Sequence, residues 1–253
     1  MTGWLAIAGL GPGALRLVTP EVTQALAEAT DLVGYGPYVT RVPEREGLTR
    51  HLSDNREEID RASLALRLTA QGKRVVVVSS GDPGVFAMAA AVFEAVDAGD
   101  PLWRELDIRV LPGISAMFAA AARIGAPLGH DFSAINLSDN LKPWELVERR
   151  LRLAAQADFV IALYNPLSKA RPWQLGRAFE LLREELPDNV PVVFASAVSD
   201  VKEAIETVTL RDAVAGRADM RTLVLIGSSQ TRLIARADGK AFVYTPRSAG
   251  GSS

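Results

Sequence analysis

The sequence has no cysteine, which excludes disulfides, thiolate metal centres and a cysteine nucleophile. Histidine is scarce, 2 in 253 residues, and no metal site is expected. Neither sign of charge is in excess: 28 Lys and Arg against 30 Asp and Glu give a formal net charge of −2. Dedicated nucleic-acid binders tend to be basic, so that class is disfavoured; a local basic patch for an anionic small molecule remains compatible with the balance. Long hydrophobic runs are missing too, and none approaches the ~20 residues that span a bilayer. The opening MTGWLAIAG lacks the basic region and long apolar segment of a signal peptide. The tail PRSAGGSS reads as disordered. A cytoplasmic enzyme is the expectation.

What is present is ordinary globular material, 48% hydrophobic and 23% charged residues, enough for a sizeable core. Short apolar, β-branched runs alternate with longer segments of helical period. The runs at 4–9, 31–34, 74–79, 107–111, 132–137, 158–163, 191–196 and 222–226 predict strands. RVVVVSS and DFVIALY are apolar at successive positions, as strands buried on both faces must be. Thr19–Pro20 and Asp82–Pro83 predict helix starts, Asp54 with Glu57 a capping box, and Gly72 a helix end. Further helices are expected after Ser115 and from Pro143. This alternation implies α/β architecture with mainly parallel sheet. Pro112 and Gly113 interrupt the pattern, so the boundary is set there: an N-terminal α/β domain over 1–112, a C-terminal α/β domain over 113–245 with a cleft between the two, and a disordered tail over 246–253. AIETVTL (204–210) and the late AFVYT suggest antiparallel strands, hence a mixed sheet, in the second half.

In WLAIAGLGPGALRL (4–17), Gly9, Gly11 and Ala14 fit G-x-G-x-x-G/A, the dinucleotide fingerprint. Two requirements of that reading fail. The fingerprint needs a helix starting at the glycines, whose free N–H groups hold the pyrophosphate. Here Pro20 disfavours helical geometry at the residue before it, and the clear cap is Thr19. The fingerprint also needs an acid closing the second strand to hold a ribose, whereas Asp31 precedes LVGYG. A nicotinamide-dependent oxidoreductase stays as the alternative from another class. A bare tight turn and a different backbone-lined ligand site are the other readings.

Ligands of α/β folds bind at the carboxyl ends of strands, and three more loops lie at such ends. VVVVSSGDPGVFAM (75–88) offers Ser80, Gly81 and Asp82; VLPGISAMFAAA (110–121) offers Ser115 among small residues; FVIALYNPLSKARPW (159–173) offers Asn165 and a cationic run. Each is weak singly, because Gly and Pro punctuate every loop, and Asp82 alone reads as a helix cap. Taken in order, G-x-G-P-G, S-S-G-D-P-G, P-G-I-S-A and L-Y-N-P resemble the tetrapyrrole methylase family of S-adenosylmethionine-dependent methyltransferases, over nearly the whole chain up to about residue 245. Within it, GYGPYV (34–39), GAPLGHDFSAINLSDNLKPWE (125–145) and YNPLSKARPWQL (164–175) resemble the members that methylate C17 of precorrin-3B and contract its ring to precorrin-4 in cobalamin synthesis.

The resemblance implies the two-domain tetrapyrrole methylase fold, a homodimer, and S-adenosylmethionine folded in the cleft and leaving as S-adenosylhomocysteine. Matched motif by motif, the cofactor site is expected to use Pro12, then Ser80, Gly81, Asp82 and Val85, then Ser115 and Ala116, and then Asn165. Ala197 in FASAVSD and Thr222 in DMRTLVLIG follow from more divergent segments. Transfer from an activated sulfonium needs alignment and exclusion of water rather than a nucleophilic triad, which suits this residue inventory.

The implied substrate is an anionic tetrapyrrole, so cations are expected around it. Candidates are Arg41, Arg45, Arg50 and His51 in the first half and Lys142, Lys169 and Arg171 in the second, with Tyr35 and Tyr38 against the ring. The competing readings are solvated surface cations and core tyrosines; Arg149, Arg150 and Arg152 read as an exposed helix face. Ring contraction involves proton transfers, for which His130 in GHDF and Asp139 in LSDN are the candidates, a structural histidine being the alternative. The motifs do not separate a metal-free from a cobalt-containing substrate. Methylases of other corrin carbons, of a diphthamide precursor and of ribosomal RNA share the fold, and the charge balance argues against RNA. Neither nucleic acid nor membrane is expected as a partner; transient handover of product to neighbouring pathway enzymes is. A tetrapyrrole carrier without catalysis is a third reading.

Overall fold

The computed structural model describes residues 3–54, 57–168 and 170–248. Lys169 and the tail over 249–253 lie outside the described residues. The chain divides into two compact units, Met1–Ala116 and Met117–Ser253.

The first unit contains β1 (Trp4–Gly9), α1 (Pro20–Glu28), β2 (Asp31–Tyr35), α2 (Gly36–Val39), β3 (Thr49–Ser53), α3 (Glu58–Ala70), β4 (Arg74–Ser79), α4 (Met88–Ala98) and β5 (Asp107–Leu111). Its strands form one parallel sheet in the order β3-β2-β4-β1-β5. Side chains alternate across a strand, and the apolar runs exploit both faces. Leu5, Ile7, Val75 and Val77 pack with Ala62 and Leu66 of α3 and Ala89 and Val92 of α4. Trp4, Ala6, Ala8, Val76 and Val78 pack with Val22 of α1 and with Val39 and Val42. Each fully buried valine or leucine contributes roughly 1.5–3 kcal/mol, so the four consecutive valines make β4 a natural sheet centre. The polar TRHLS of β3 gave no strand signal, because it lies at the sheet edge and is nowhere fully buried.

Helix starts follow the expected chemistry with one correction. Thr19 Oγ1 accepts the Val22 N–H at 3.3 Å, ahead of Pro20 in the first turn of α1. Glu57 accepts the Asp54 N–H at 3.2 Å, half of a capping box, and Gly72 ends α3 with φ +83°. α4, however, begins at Met88 rather than at Pro83. Asp82 is not its cap: Oδ1 accepts the Gly84 N–H at 2.8 Å and Oδ2 the Gly113 N–H at 3.0 Å. The carboxylate braces a non-helical loop, and Ser79 Oγ accepts the Met88 N–H instead, at 3.3 Å.

The second unit contains α5 (Ala116–Ile124, save its first residue), β6 (Gly125–Ala126), β7 (Phe132–Asn136), α6 (Trp144–Gln156), β8 (Val160–Tyr164), α7 (Gln174–Glu185), β9 (Pro191–Ser196), β10 (Ala204–Thr209), β11 (Thr222–Ile226), β12 (Arg232–Ala235) and β13 (Ala241–Tyr244). A mixed sheet runs β10-β9-β11-β8-β7, parallel only between β7 and β8. A smaller sheet runs β12-β13-β6. Both segments expected to be antiparallel are so, β10 against β9 and β13 against β12. Ile161, Leu163, Val192, Phe194 and Val224 form one core with Val147 and Leu151 of α6 and Leu175, Phe179 and Leu182 of α7.

Because β1 lies between β4 and β5, the loops that follow these strands are neighbours, and they meet main chain to main chain. Gly11 and Gly81 exchange hydrogen bonds of 3.1 and 2.9 Å, each in the left-handed region at φ 65° and 66°. A Cβ on Gly113 would stand 2.2 Å from the Gly81 carbonyl oxygen, and one on Gly9 would stand 2.5 Å from it. No side chain fits there. Gly113→Ala is therefore expected to cost about 1–3 kcal/mol through forced backbone shifts, measured by urea unfolding. Gly176→Ala on α7, where an added Cβ meets nothing within 4 Å, is the contrasting control and is expected to add roughly 0.5–1 kcal/mol.

Candidate active site

The loop contact gathers most of the first unit's expected cofactor residues at the carboxyl edge of its sheet. Pro12 sits between Gly11 and Gly13 in the opening loop. Ser80, Gly81, Asp82 and Val85 lie on the loop after β4. Gly81 also faces the loop after β5: its added Cβ would stand 3.7 Å from Ser115 Cα and 3.8 Å from the Ala116 nitrogen. Ser115 is buried, 2% exposed. Phe86, next to Val85, holds φ 53° while half exposed. A bulky residue in the left-handed region is strained, and such strain collects at functional loops.

Arg41 has a role that sequence reasoning missed. Its guanidinium donates to the carbonyls of Leu10 (2.7 Å), Gly11 (3.2 Å) and Gly13 (3.2 Å) and to Ser80 Oγ (3.3 Å). It is a strut that fixes the opening loop to the next one. The other cations of this half also engage the protein itself. Arg50 donates to the Val39 and Val42 carbonyls at 3.1 and 2.7 Å, and Arg45 to those of Leu26, Ala29 and Glu46. His51 Nε2 lies 2.8 Å from Asp31 Oδ1, the first residue of β2 and so at the amino end of the sheet.

Tyr35 and Tyr38 meet edge to face, 5.3 Å apart at 88°. Burial, and then the neighbouring Tyr35, push the Tyr38 phenol above its ordinary pKa. Close by in charge terms is Arg61, 4% exposed. It donates to Ser53 Oγ at 2.7 Å, Met88 Sδ at 3.1 Å and the Asp54 carbonyl, and burial lowers its pKa from the usual guanidinium value. The sequence carried a signal for it: an arginine standing in the buried stripe of α3 with Ala62, Ala65, Leu66 and Thr69.

In the second unit the expected residues share one sheet edge. Asn136 ends β7 opposite Tyr164 of β8. Thr222 pairs with Ser196, and the antiparallel partners Val224 and Leu163 bring Thr222 level with position 165. Asn136, Asn165, Thr222 and Ala197 thus follow one another along that edge. Asn165 Nδ2 donates to Asn136 Oδ1 at 3.0 Å; Ala197 N–H donates to the Arg221 carbonyl at 3.2 Å; Thr222 Oγ1 donates to Asp219 at 2.6 Å. Asn165 and Ala197 hold left-handed φ of 51° and 49°. Arg171 donates to the Asn165 carbonyl at 3.4 Å and Lys142 to the Ser138 carbonyl at 2.7 Å, both on the same edge.

The two proton-transfer candidates are not brought together. Asp139 follows the carboxyl end of β7 and accepts from Gln174 Nε2 at 3.1 Å. His130 precedes the amino end of β7, so the length of that strand, roughly 16 Å at ~3.3 Å per residue, lies between them. The His130 Nδ1 accepts the Asp131 N–H at 2.8 Å. The ring faces a cavity of about 110 Å³ lined also by Asp158, Ser228 and Thr245.

Neither histidine therefore lies on the edges that carry the expected cofactor residues. Those edges offer main-chain donors and acceptors, small residues and strained turns, a set suited to aligning an already activated group. Among the described residues no cluster of three or more His, Cys, Asp or Glu could hold a metal ion, and no helix is long and apolar enough to cross a membrane.

The model of the Tetrapyrrole (Corrin/Porphyrin) Methylases matches residues 5–214. A relative from Sinorhizobium sp, "Precorrin-3B C(17)-methyltransferase", is 57% identical over 253 residues, 100% of this chain and 100% of that protein. A "Probable cobalt-factor III C(17)-methyltransferase" of Salmonella typhimurium is 38% identical over 96% of this chain and 98% of its own. The crystal structure of "the methyltransferase CobJ" superposes with a TM-score of 0.92 at 61% identity, covering 96% of this chain and 100% of that one. With its loops at the carboxyl edges and a match that runs from the first strand into the second unit, this chain belongs to the tetrapyrrole (corrin/porphyrin) methylases.

Proposed function

We propose that this protein is an S-adenosylmethionine-dependent methyltransferase that methylates C17 of precorrin-3B and contracts the ring to precorrin-4 in cobalamin biosynthesis. The observation that carries this reading is the end-to-end 57% identity to a relative of that name. The lower identity of 38% to a cobalt-factor III relative favours the metal-free substrate. Homodimerisation and a cytoplasmic location belong to the same proposal, as does handover of product to a neighbouring enzyme.

In the transfer, C17 supplies the electron pair of the new C–C bond while the methyl–sulfur bond breaks, and S-adenosylhomocysteine leaves. The protein's task is to hold donor and acceptor in line and dry. We assign the cofactor contacts of the first unit to Pro12, Ser80, Gly81, Asp82, Val85, Ser115 and Ala116. Those of the second unit are assigned to Asn165, Ala197 and Thr222. Tyr35 and Tyr38 serve the ring, and Lys142 and Arg171 its carboxylates. Arg41 and Arg50 act by positioning loops. Asp139 is the proton-handling candidate on the edge that carries Asn165, Ala197 and Thr222; His130 lies beyond the other end of β7.

Incubation with precorrin-3B and methyl-labelled S-adenosylmethionine is expected to give labelled precorrin-4, identified by mass and NMR. Ring binding without label transfer would mean a carrier. Calorimetry is expected to register S-adenosylhomocysteine and not NADH; the reverse would establish the oxidoreductase alternative. Arg41→Ala strips the donor from three carbonyls of the opening loop. It should cost about 1–3 kcal/mol of stability and weaken S-adenosylhomocysteine binding, read by thermal unfolding and calorimetry. His130→Ala is expected to leave single-turnover methylation and contraction close to wild type, whereas Asp139→Asn should slow contraction; slow contraction in His130→Ala would restore the imidazole to the mechanism.

A further inference from the structure

Beside the second unit's edge, next to Lys142 and Arg171, stand two exposed apolar side chains that the assignments above do not use. The loop after β7 and the loop after β8 are locked together at two points. Gln174 Nε2 donates to Asp139 Oδ2 at 3.1 Å, and Trp173 meets the Trp144 ring edge-on at 4.9 Å and 74°. Between and beside these locks, Leu141 is 89% exposed and Trp173 49% exposed. A leucine and a tryptophan held out to water on tied loops leave apolar area that a ligand could cover with a gain in stability.

The charge around them says by what. Lys142 has its ammonium pushed below the ordinary lysine range by burial, then by Arg150 and Arg171, with Asp139 the opposing influence. Lys142 and Arg171 stand on these two loops, donating to the Ser138 and Asn165 carbonyls at 2.7 and 3.4 Å, Arg150 lies on α6, and Asp139, the carboxylate acting against them, accepts from Gln174. An incoming anion would act in the same sense as Asp139. A ligand that covers apolar carbon and also brings negative charge to its rim satisfies both demands. A planar macrocycle with peripheral carboxylates has that form, with its face on Trp173 and Leu141 and its acids toward Lys142 and Arg171.

We propose that the exposed Leu141–Trp173 surface, bordered by Lys142 and Arg171, is a docking platform for the carboxylated tetrapyrrole ring. It rests on the methylase reading above and adds two apolar residues to it as determinants of ring affinity. Trp173 and Leu141 contribute the non-polar contact, and the two cations orient the rim.

The test uses the full chain and uroporphyrin, a stable carboxylated macrocycle, followed by quenching of tryptophan fluorescence. Wild type should quench saturably. Leu141→Ser and Trp173→Ala should each weaken uroporphyrin binding by about tenfold, the scale of a central apolar contact. Lys142→Gln and Arg171→Gln should weaken it and flatten its salt dependence. Melting temperature and S-adenosylhomocysteine affinity should stay at wild-type values in Leu141→Ser, the most exposed position, which separates ring contact from folding. Unchanged uroporphyrin affinity in both apolar variants overturns the platform. So does an absence of quenching in wild type, or a shift of Leu141→Ser from dimer to monomer in sedimentation, which would assign the surface to a second copy of the chain. If wild type binds uroporphyrin as described but not S-adenosylhomocysteine, the platform stands and the methyltransferase reading falls.

Discussion

The contact of three glycines without side chains is the constraint on which the first unit's site depends. Gly9 closes β1, Gly81 and Gly113 lie on the loops that leave its two parallel neighbours, and the Gly81 carbonyl comes so near that a Cβ on Gly9 or Gly113 would be blocked. The approach also permits the Gly11–Gly81 bridge and the reach of Asp82 to the Gly113 amide. Backbone hydrogen-bonding groups are thereby concentrated at the carboxyl edge with few side chains in the way. A ligand recognised through main-chain amides and carbonyls needs that arrangement, and a catalyst that works by alignment needs it to be stiff.

The second unit reaches a comparable edge by different means. Its sheet is mixed, so strand direction alone does not collect loops on one side. Register does: Thr222 at the start of β11 falls beside Ser196 at the end of β9 and level with the residue after β8. Left-handed backbone at Asn165 and Ala197 turns the chain sharply as it leaves the sheet. The helices α6 and α7, which begin behind these loops, fill the opposite need by covering the apolar face with Val147, Leu151, Leu175 and Phe179.

Much of this was legible in the residues. Runs such as 74–79 and 191–196 are apolar throughout because both faces are covered, and they became strands at those bounds. β3, β12 and β6 escaped, the first being a polar edge strand, the second exposed along its length and the third two residues long. The loops that carry the family motifs were found because glycine, proline and aspartate there have local consequences. Arg41 was visible as a cation but not as a strut, since its acceptors are carbonyls that a sequence does not distinguish. His130 and Asp139 looked like neighbours because nine positions separate them, yet a strand runs between, and a strand carries its two ends apart.

Arg41 has a consequence for how the opening loop keeps its shape. It stands just past α2, on the segment that also bears Tyr38, and it grips the opening loop through three carbonyls. The opening loop is thus held from outside as well as by its own glycine turn: without the guanidinium, or with the segment after α2 displaced, three of its carbonyls lose the same donor at once.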